Sequence, residues 1–245
     1  MFEQMVAEAV EVPLTGWDFR WLEGRASGSA PSWSYPELAA ELVGDCASLI
    51  DVDTGGGELL SSLAPLPART VAVEGWAPNV PVARERLAPL RVDVRFRENT
   101  HLPVDDGSAD LMLNRHGHLE PAEAARVLAA GGVLLTQQVG SDDCSEINEA
   151  LGAPPAYDEA WNADVAVRRL TAAGLTILDV REERPAFTFY DIGALVFQLR
   201  AVPWQVRDFT VARYEQALRR IDSRIRADGE FRVHSHRFLV RARKR

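Results

Sequence analysis

The stretch Leu49–Leu60, LIDVDTGGGELL, decides how this chain is read. A short apolar run reads as a buried strand, three consecutive glycines read as a turn, and Glu-Leu-Leu opens a helix. In that order the three elements turn backbone N–H groups and a helix N-terminus toward a ligand, because glycine permits unusual dihedrals and close backbone approach. One residue is out of place: Asp53 stands where such a loop usually opens with glycine.

Outward from this stretch, strand-like runs at 47–53, 69–75, 92–96, 109–114 and 131–139 alternate with helix-like stretches near 57–64, 79–89, 120–129 and 157–173. Such alternation predicts a parallel sheet covered by helices on both faces. An earlier helix is expected to begin at Pro36, since proline in the first turn loses no intrahelical bond, and the stretch near 157–173 is expected to stop at Gly174. Further on, DIGALVFQLRAVPW and FTVARYEQALRRIDSRI read as helices and FRVHSHRFLVRAR as a last strand. Tyr214, Leu218, Ile221 and Ile225 recur at helical spacing, predicting a core-facing stripe with the arginines on a solvated face.

With 245 residues and 47% apolar composition, the chain can bury one sizeable core, and a single domain is expected. Within it, residues 1–44 are expected to form an N-terminal helical cap or lid, 45–140 the cofactor-binding core and 141–245 the substrate-side half. No run approaches the roughly 20 apolar residues that span a bilayer, and the N-terminus lacks a basic segment followed by an apolar one, so a cytoplasmic protein without a membrane partner is expected. Cys46 and Cys144 stand alone with no CxxC, which indicates neither a zinc ribbon nor a disulfide framework. The net charge of −9 opposes general polyanion binding, but residues 195–245 carry 13 basic against 5 acidic groups, leaving −17 elsewhere. Only the tail would attract phosphate.

The glycine loop itself narrows the ligand. G-x-G-x-x-G fails in either register, since Leu60 would be the third glycine of one and Asp53 the first of the other, which disfavours a dinucleotide. A phosphate-binding P-loop is excluded because no Gly-Lys-Ser/Thr follows. In the order strand, Asp51, Thr54, Gly55, Gly56, Gly57, the stretch resembles the adenosylmethionine-binding loop of class I methyltransferases. Glu74 lies 17 positions after Gly57, where such proteins place an acid that accepts from a ribose diol. RENTHLPVDDGSADLMLN resembles the family's next landmark, with Glu98, Asn99, Leu102, Pro103 and Val104 in its key places, and ARVLAAGGVLLTQQV resembles its helix, Gly-Gly turn and fifth strand.

The resemblance implies a Rossmann-like α/β fold, a seven-stranded mostly parallel sheet with helices on both faces, and S-adenosylmethionine as cofactor. It implies cofactor contacts from Asp51, Asp53, Thr54, Gly55, Gly57, Glu74, Gly75, Trp76, Glu98, Asn99 and Asn114, with Glu98 and Asn99 at the adenine edge. Trp76 either stacks on adenine or covers the sheet edge. The flanks PLTGWDFRWLEGRASGSAPSWSYPEL and FYDIGALVFQLRAVPW resemble methyltransferases with mostly unassigned acceptors. The C-terminal layout also resembles ribosomal RNA guanine methyltransferases, but those carry an N-terminal zinc ribbon for which this chain has no cysteines.

At the usual glycine position Asp53 adds bulk and negative charge. Near the ligand's ammonium it would form a charge-assisted bond, whereas near the carboxylate it would repel. Methyl transfer from a sulfonium is an in-line displacement, so orientation and water exclusion carry most of the catalysis and a base is needed only for a protonated acceptor. The candidates lie after the fourth strand in NRHGHLE: Asn114 to hold cofactor or acceptor, Arg115 to bind an acid, and His116 as base or as an ordinary loop residue. His118 reads as a loop residue. The two H-x-H pairs, 116/118 and 234/236, lie on segments expected to be separate, so no metal is expected. Trp17 and Trp21 share a helical face and read as core stripe or lid, with Arg25 reaching a carboxylate.

Three functions follow from these readings: a methyltransferase acting on a small molecule, an RNA methyltransferase using the Arg-rich C-terminal segment, and a non-catalytic binding protein whose cofactor site was altered at Asp53.

Overall fold

Residues 48–52 are buried at every position, as a strand covered on both faces requires, and their side chains alternate between two cores. Leu49, Leu111 and Leu113 face one side of the sheet, while Ile50, Val52 and Met112 face the other. The computed structural model describes residues 1–14 and 19–245.

In chain order the first elements are α1 (Phe2–Glu11), β1 (Ala26–Gly28), α2 (Tyr35–Gly44), β2 (Ser48–Val52), α3 (Glu58–Ser62), β3 (Arg69–Glu74), α4 (Asn79–Leu87), β4 (Asp93–Phe96) and β5 (Ala109–Arg115). There follow α5 (Pro121–Val127), β6 (Leu128–Val139), α6 (Ser145–Leu151), α7 (Ala163–Ala172), β7 (Leu175–Glu183), β8 (Ala186–Phe189), α8 (Ile192–Ala201), α9 (Val211–Asp228), β9 (Phe231–His234) and β10 (Arg237–Lys244).

The chain divides into two compact units. The larger comprises residues 32–139, 161–182 and 237–245 and holds a seven-stranded sheet of order β4-β3-β2-β5-β6-β10-β7. Strands β2 to β6 pair in parallel, and β10 returns antiparallel to β6. This is the α/β fold expected of class I methyltransferases. Ser34 caps α2 by accepting from Glu37 N, with Pro36 in the first turn. Asn162 likewise caps α7, accepting from Val165 N at 2.9 Å, so that helix starts at Ala163 rather than near 157.

Two other elements differ from expectation. Gly131 and Gly132 lie inside β6 rather than in a turn before it, where a register shift opposite Ala109 absorbs them. The expected last strand breaks at Ser235–His236: β10 joins the large sheet and β9 does not.

The smaller unit comprises residues 1–31, 140–160 and 183–236. Its antiparallel sheet, β1-β8-β9, packs with α1, α6, α8 and α9 around Phe189, Phe197, Leu218 and Phe231. The predicted stripe of Tyr214, Leu218, Ile221 and Ile225 is buried there, and Arg213, Arg219, Arg224 and Arg226 pair with Asp208, Glu215, Asp228 and Asp222. In helix α1, Phe2, Val6 and Ala9 bury one face at helical spacing. The segments 1–44, 45–140 and 141–245 do not coincide with the two units. No helix among the described residues is long and apolar enough to cross a membrane.

Candidate functional site

From β2 the chain builds outward through β3 to β4, then crosses back to lay β5 on the other side of β2. Open α/β sheets bind ligands at such a reversal, beyond the carboxyl ends of the strands. Here those ends carry Asp53, Glu74 and Arg115.

The loop leaves β2 still tied to β3, because Asp53 N and Thr54 N both donate to Val73 O, at 2.8 and 3.2 Å. Gly57 N then closes a turn onto Thr54 O at 3.0 Å. Two glycines are demanded here for different reasons. Gly57 has φ 80° and packs so closely that a Cβ would lie 2.9 Å from Leu87, whereas Gly55, at φ 63°, has nothing within 4 Å of a Cβ and presents an open face.

Glu74 joins the two loops. Its Oε2 accepts from Gly55 N at 2.6 Å and its Oε1 from Trp76 N at 2.7 Å, leaving each oxygen a further lone pair. Burial raises the Glu74 carboxyl pKa against the lowering effect of those two amides, and Asp53 raises it further. Asp51, buried behind the loop, is pushed up to about 7, chiefly by burial. The Thr54 hydroxyl beside it counteracts this, and Asp53 and Glu74 add to the rise. Thr54 Oγ1 is itself buried without a well-formed hydrogen bond. Unused capacity at Thr54 and Glu74, beneath an open Gly55, fits a ligand bearing hydroxyls and a polar tail.

Asp53 adopts φ 58°, the left-handed region that glycine favours and aspartate tolerates. Its charge is not left alone: Arg97 Nη2 lies 2.7 and 2.8 Å from its two oxygens, and Nε lies 3.2 Å from Oδ1. A third donor, His118 N, reaches Oδ2 at 2.8 Å. The Arg97 guanidinium lies against the end of β3, where a Cβ on Gly75 would sit 3.3 Å away, and its Nη1 donates to Asn99 O at 2.8 Å. Gly117 closes the other side, since a Cβ there would stand 2.5 Å from Asp53 Cβ. No sequence motif singles out Arg97 or Gly117. Their only signal was position, one residue past β4 and two past β5.

Asn114 is fully buried and anchors a polar network. Its Oδ1 accepts from Thr136 Oγ1 at 2.9 Å and Gln138 Nε2 at 2.6 Å, while its Nδ2 donates to Val52 O at 3.2 Å. These bonds leave one Nδ2 hydrogen for any ligand. His116 follows with φ 59°, its backbone N bound to Gln137 O at 2.7 Å and its Nε2 2.9 Å from Gln137 Nε2. Desolvation lowers the His116 pKa, and Arg115 and Arg237 lower it further.

The remaining expected residues lie around this centre. Trp76 is 55% exposed; Gly75, Glu98 and Asn99 are also exposed, with Asn99 Oδ1 accepting from His101 N at 2.8 Å. Arg115 lies over the Tyr35 ring at 6.0 Å, and His118 is exposed, 3.9 Å from Glu120. Among the described residues no group of three or more His, Cys, Asp and Glu is arranged to hold a metal. Trp17 lies outside the described residues. In the smaller unit, Trp21 packs on Phe197 at 5.2 Å with Arg25 over its ring at 4.1 Å, and Arg25 pairs with Glu8 and Asp191.

Residues 50–136, which contain the loop, Glu74 and the β5 end, match the methyltransferase domain family. Residues 50–136 thus carry a methyltransferase domain. Solved structures share the fold of this chain across most of its length. A candidate methyltransferase from Bacillus halodurans C-125 is 18% identical, covering 86% of this chain and 99% of its own, with a TM-score of 0.61. The YcgJ protein of Bacillus subtilis is 16% identical, covering 86% and 97%, with a TM-score of 0.62. The [4+2]-cyclase SpnF is 18% identical, covering 99% and 92%, with a TM-score of 0.54. No curated protein matches this chain in sequence.

Proposed function

We propose that this chain binds S-adenosylmethionine at the β2–α3 loop and transfers its methyl group to a small-molecule acceptor. The observation that carries the reading is the Glu74 carboxylate, which ties Gly55 N to Trp76 N and still offers lone pairs to a diol. Gly55, Thr54 and Gly57 would cradle the cofactor, Glu98 and Asn99 would border its base, and the bound sulfonium would supply the methyl group. The chain's own part is then to orient the acceptor and exclude water.

A small acceptor is favoured over RNA because helix α9 holds Arg213, Arg219, Arg224 and Arg226 in ion pairs with neighbouring carboxylates, which an RNA backbone would have to displace. The [4+2]-cyclase SpnF shares this fold and is named for another reaction, so the fold alone does not supply the choice.

Calorimetric titration with S-adenosylmethionine and its demethylated product tests the reading, followed by transfer of labelled methyl to a panel of small acceptors. Micromolar binding and label transfer are expected. Absence of binding by both ligands would reduce the chain to a non-catalytic relative altered at Asp53.

A further inference from the structure

The Asp53–Arg97 pair answers why an acid replaces glycine at the head of the loop. The two side chains are only 17% and 11% exposed, and the guanidinium uses Nη2 and Nε on the carboxylate. The pair runs along the carboxyl edge of the sheet from the end of β4, past Gly75, to the end of β2. It borders Gly117 and the His118 amide. A neutral ligand that separated the pair would leave two partly desolvated charges that it could not satisfy.

An α-amino acid is the ligand chemistry that can satisfy both at once. The geometry points to Asp53 and Arg97 as a recognition pair for the zwitterionic end of the cofactor: the ligand ammonium takes the place of the guanidinium on Asp53, and the ligand carboxylate takes the place of Asp53 on Arg97. One internal ion pair is exchanged for two ligand ion pairs, with no charge left buried alone. The His118 amide holds the Asp53 carboxylate, and the Asn99 carbonyl holds the guanidinium, during the exchange. Arg97 thereby becomes a cofactor-binding residue, and Asp53 a replacement for the missing glycine rather than a lesion.

The inference rests on adenosylmethionine use, and the test separates the two. S-adenosylhomocysteine carries the amino acid end, whereas 5′-methylthioadenosine carries the same nucleoside without it. Both are titrated into the unmutated chain and into Arg97→Met, Arg97→Lys and Asp53→Asn, with thermal unfolding as the check on folding. The unmutated chain is expected to bind S-adenosylhomocysteine at least tenfold more tightly. Arg97→Met and Asp53→Asn should lose at least tenfold for that ligand while 5′-methylthioadenosine stays within threefold, and Arg97→Lys should fall between. In the unmutated chain the Arg97 Nε–H resonance should move on adding S-adenosylhomocysteine and stay in place with 5′-methylthioadenosine. That readout also decides the matter should the variants fail to fold.

A pair whose variants bind S-adenosylhomocysteine as the unmutated chain does, or lose both ligands in parallel, is structural, and either result overturns the inference alone. No binding of either ligand by the unmutated chain overturns the cofactor reading together with it.

Discussion

The Trp33 indole N–H donates to Gln137 Oε1 at 2.7 Å, and this one bond sets the proton on a histidine two bonds away. Indole nitrogen can only donate, so the Gln137 oxygen must face Trp33 and its amide nitrogen must face His116. That nitrogen lies 2.9 Å from His116 Nε2, which therefore accepts, and the ring proton resides on Nδ1. A base at this position would have to break the Gln137 bond before using Nε2. As arranged, His116 offers an N–H donor from Nδ1, suited to holding an acceptor oxygen rather than taking its proton.

Nitrogen-15 NMR of His-labelled protein checks this chain of bonds. His116 is expected to remain neutral with its proton on Nδ1 from about pH 8 to 5, since desolvation and the nearby Arg115 and Arg237 lower its pKa. Trp33→Phe releases the Gln137 oxygen and should let the tautomers mix. A protonated Nε2 in the unmutated chain would refute the assignment.

Gly117 is constrained by sterics alone. A Cβ there would lie 2.5 Å from Asp53 Cβ, 2.6 Å from Asp53 Oδ2 and 2.9 Å from Asn114 Nδ2. Gly117→Ala must displace Asp53 or the loop, with an expected loss of about 1–3 kcal/mol by urea unfolding. Removing the obstructing side chain should restore part of it, so the double variant Gly117→Ala/Asp53→Gly is expected to be more stable than the sum of the two single changes. Strict additivity would show that Asp53 is not what the new methyl group meets.

The sheet and the glycine loop were legible because both rest on local periodicity: a buried run, a turn, a helix, repeated in order. The break at Ser235–His236 was not, since FRVHSHRFLVRAR is continuously strand-like and only its partners, β8 for one half and β6 for the other, divide it. Asp53 was visible as an anomaly, yet its meaning depends on Arg97, 44 residues away, and on a side-chain contact that no periodicity encodes. Asn114 was readable as a polar residue at a strand end, but not as the hub of a buried network, because Thr136 and Gln138 reach it from the neighbouring strand.

Asp51 should make stability depend on pH. Its carboxyl is raised to about 7 in the folded chain, chiefly by burial, against about 4 when unfolded. Between those values the folded state binds the extra proton, so this contribution is fully present below about pH 4 and is lost as pH rises through 7. Asp51→Asn keeps a neutral group of similar shape. It should flatten that fall and stabilise the chain at about pH 8 by up to 4 kcal/mol, read as midpoints of urea unfolding. Parallel pH profiles for the two proteins would place the titration elsewhere.

Arg126 makes the opposite prediction on the acid side. From α5 it donates to Leu102 O at 2.9 Å, Val104 O at 2.8 Å, Asp106 at 2.7 Å and Glu123 at 2.7 Å, and Glu123 in turn accepts from Leu102 N at 2.7 Å. Residues 102–106, LPVDD, are thus clamped to the helix by one guanidinium. Arg126 holds the Glu123 carboxyl down at about 2, assisted by the Leu102 amide. A depressed carboxyl stabilises above its unfolded value of about 4.3 and loses that contribution as pH falls toward 2. The surrounding solvent reduces the effect to about 1 kcal/mol. Arg126→Met should cost that much near neutral pH and should remove the Glu123 part of the acid-unfolding limb. Faster amide hydrogen exchange at Leu102 in the variant would locate the loss at the clamp, whereas unchanged exchange there together with unchanged stability would show that the loop holds its shape without Arg126.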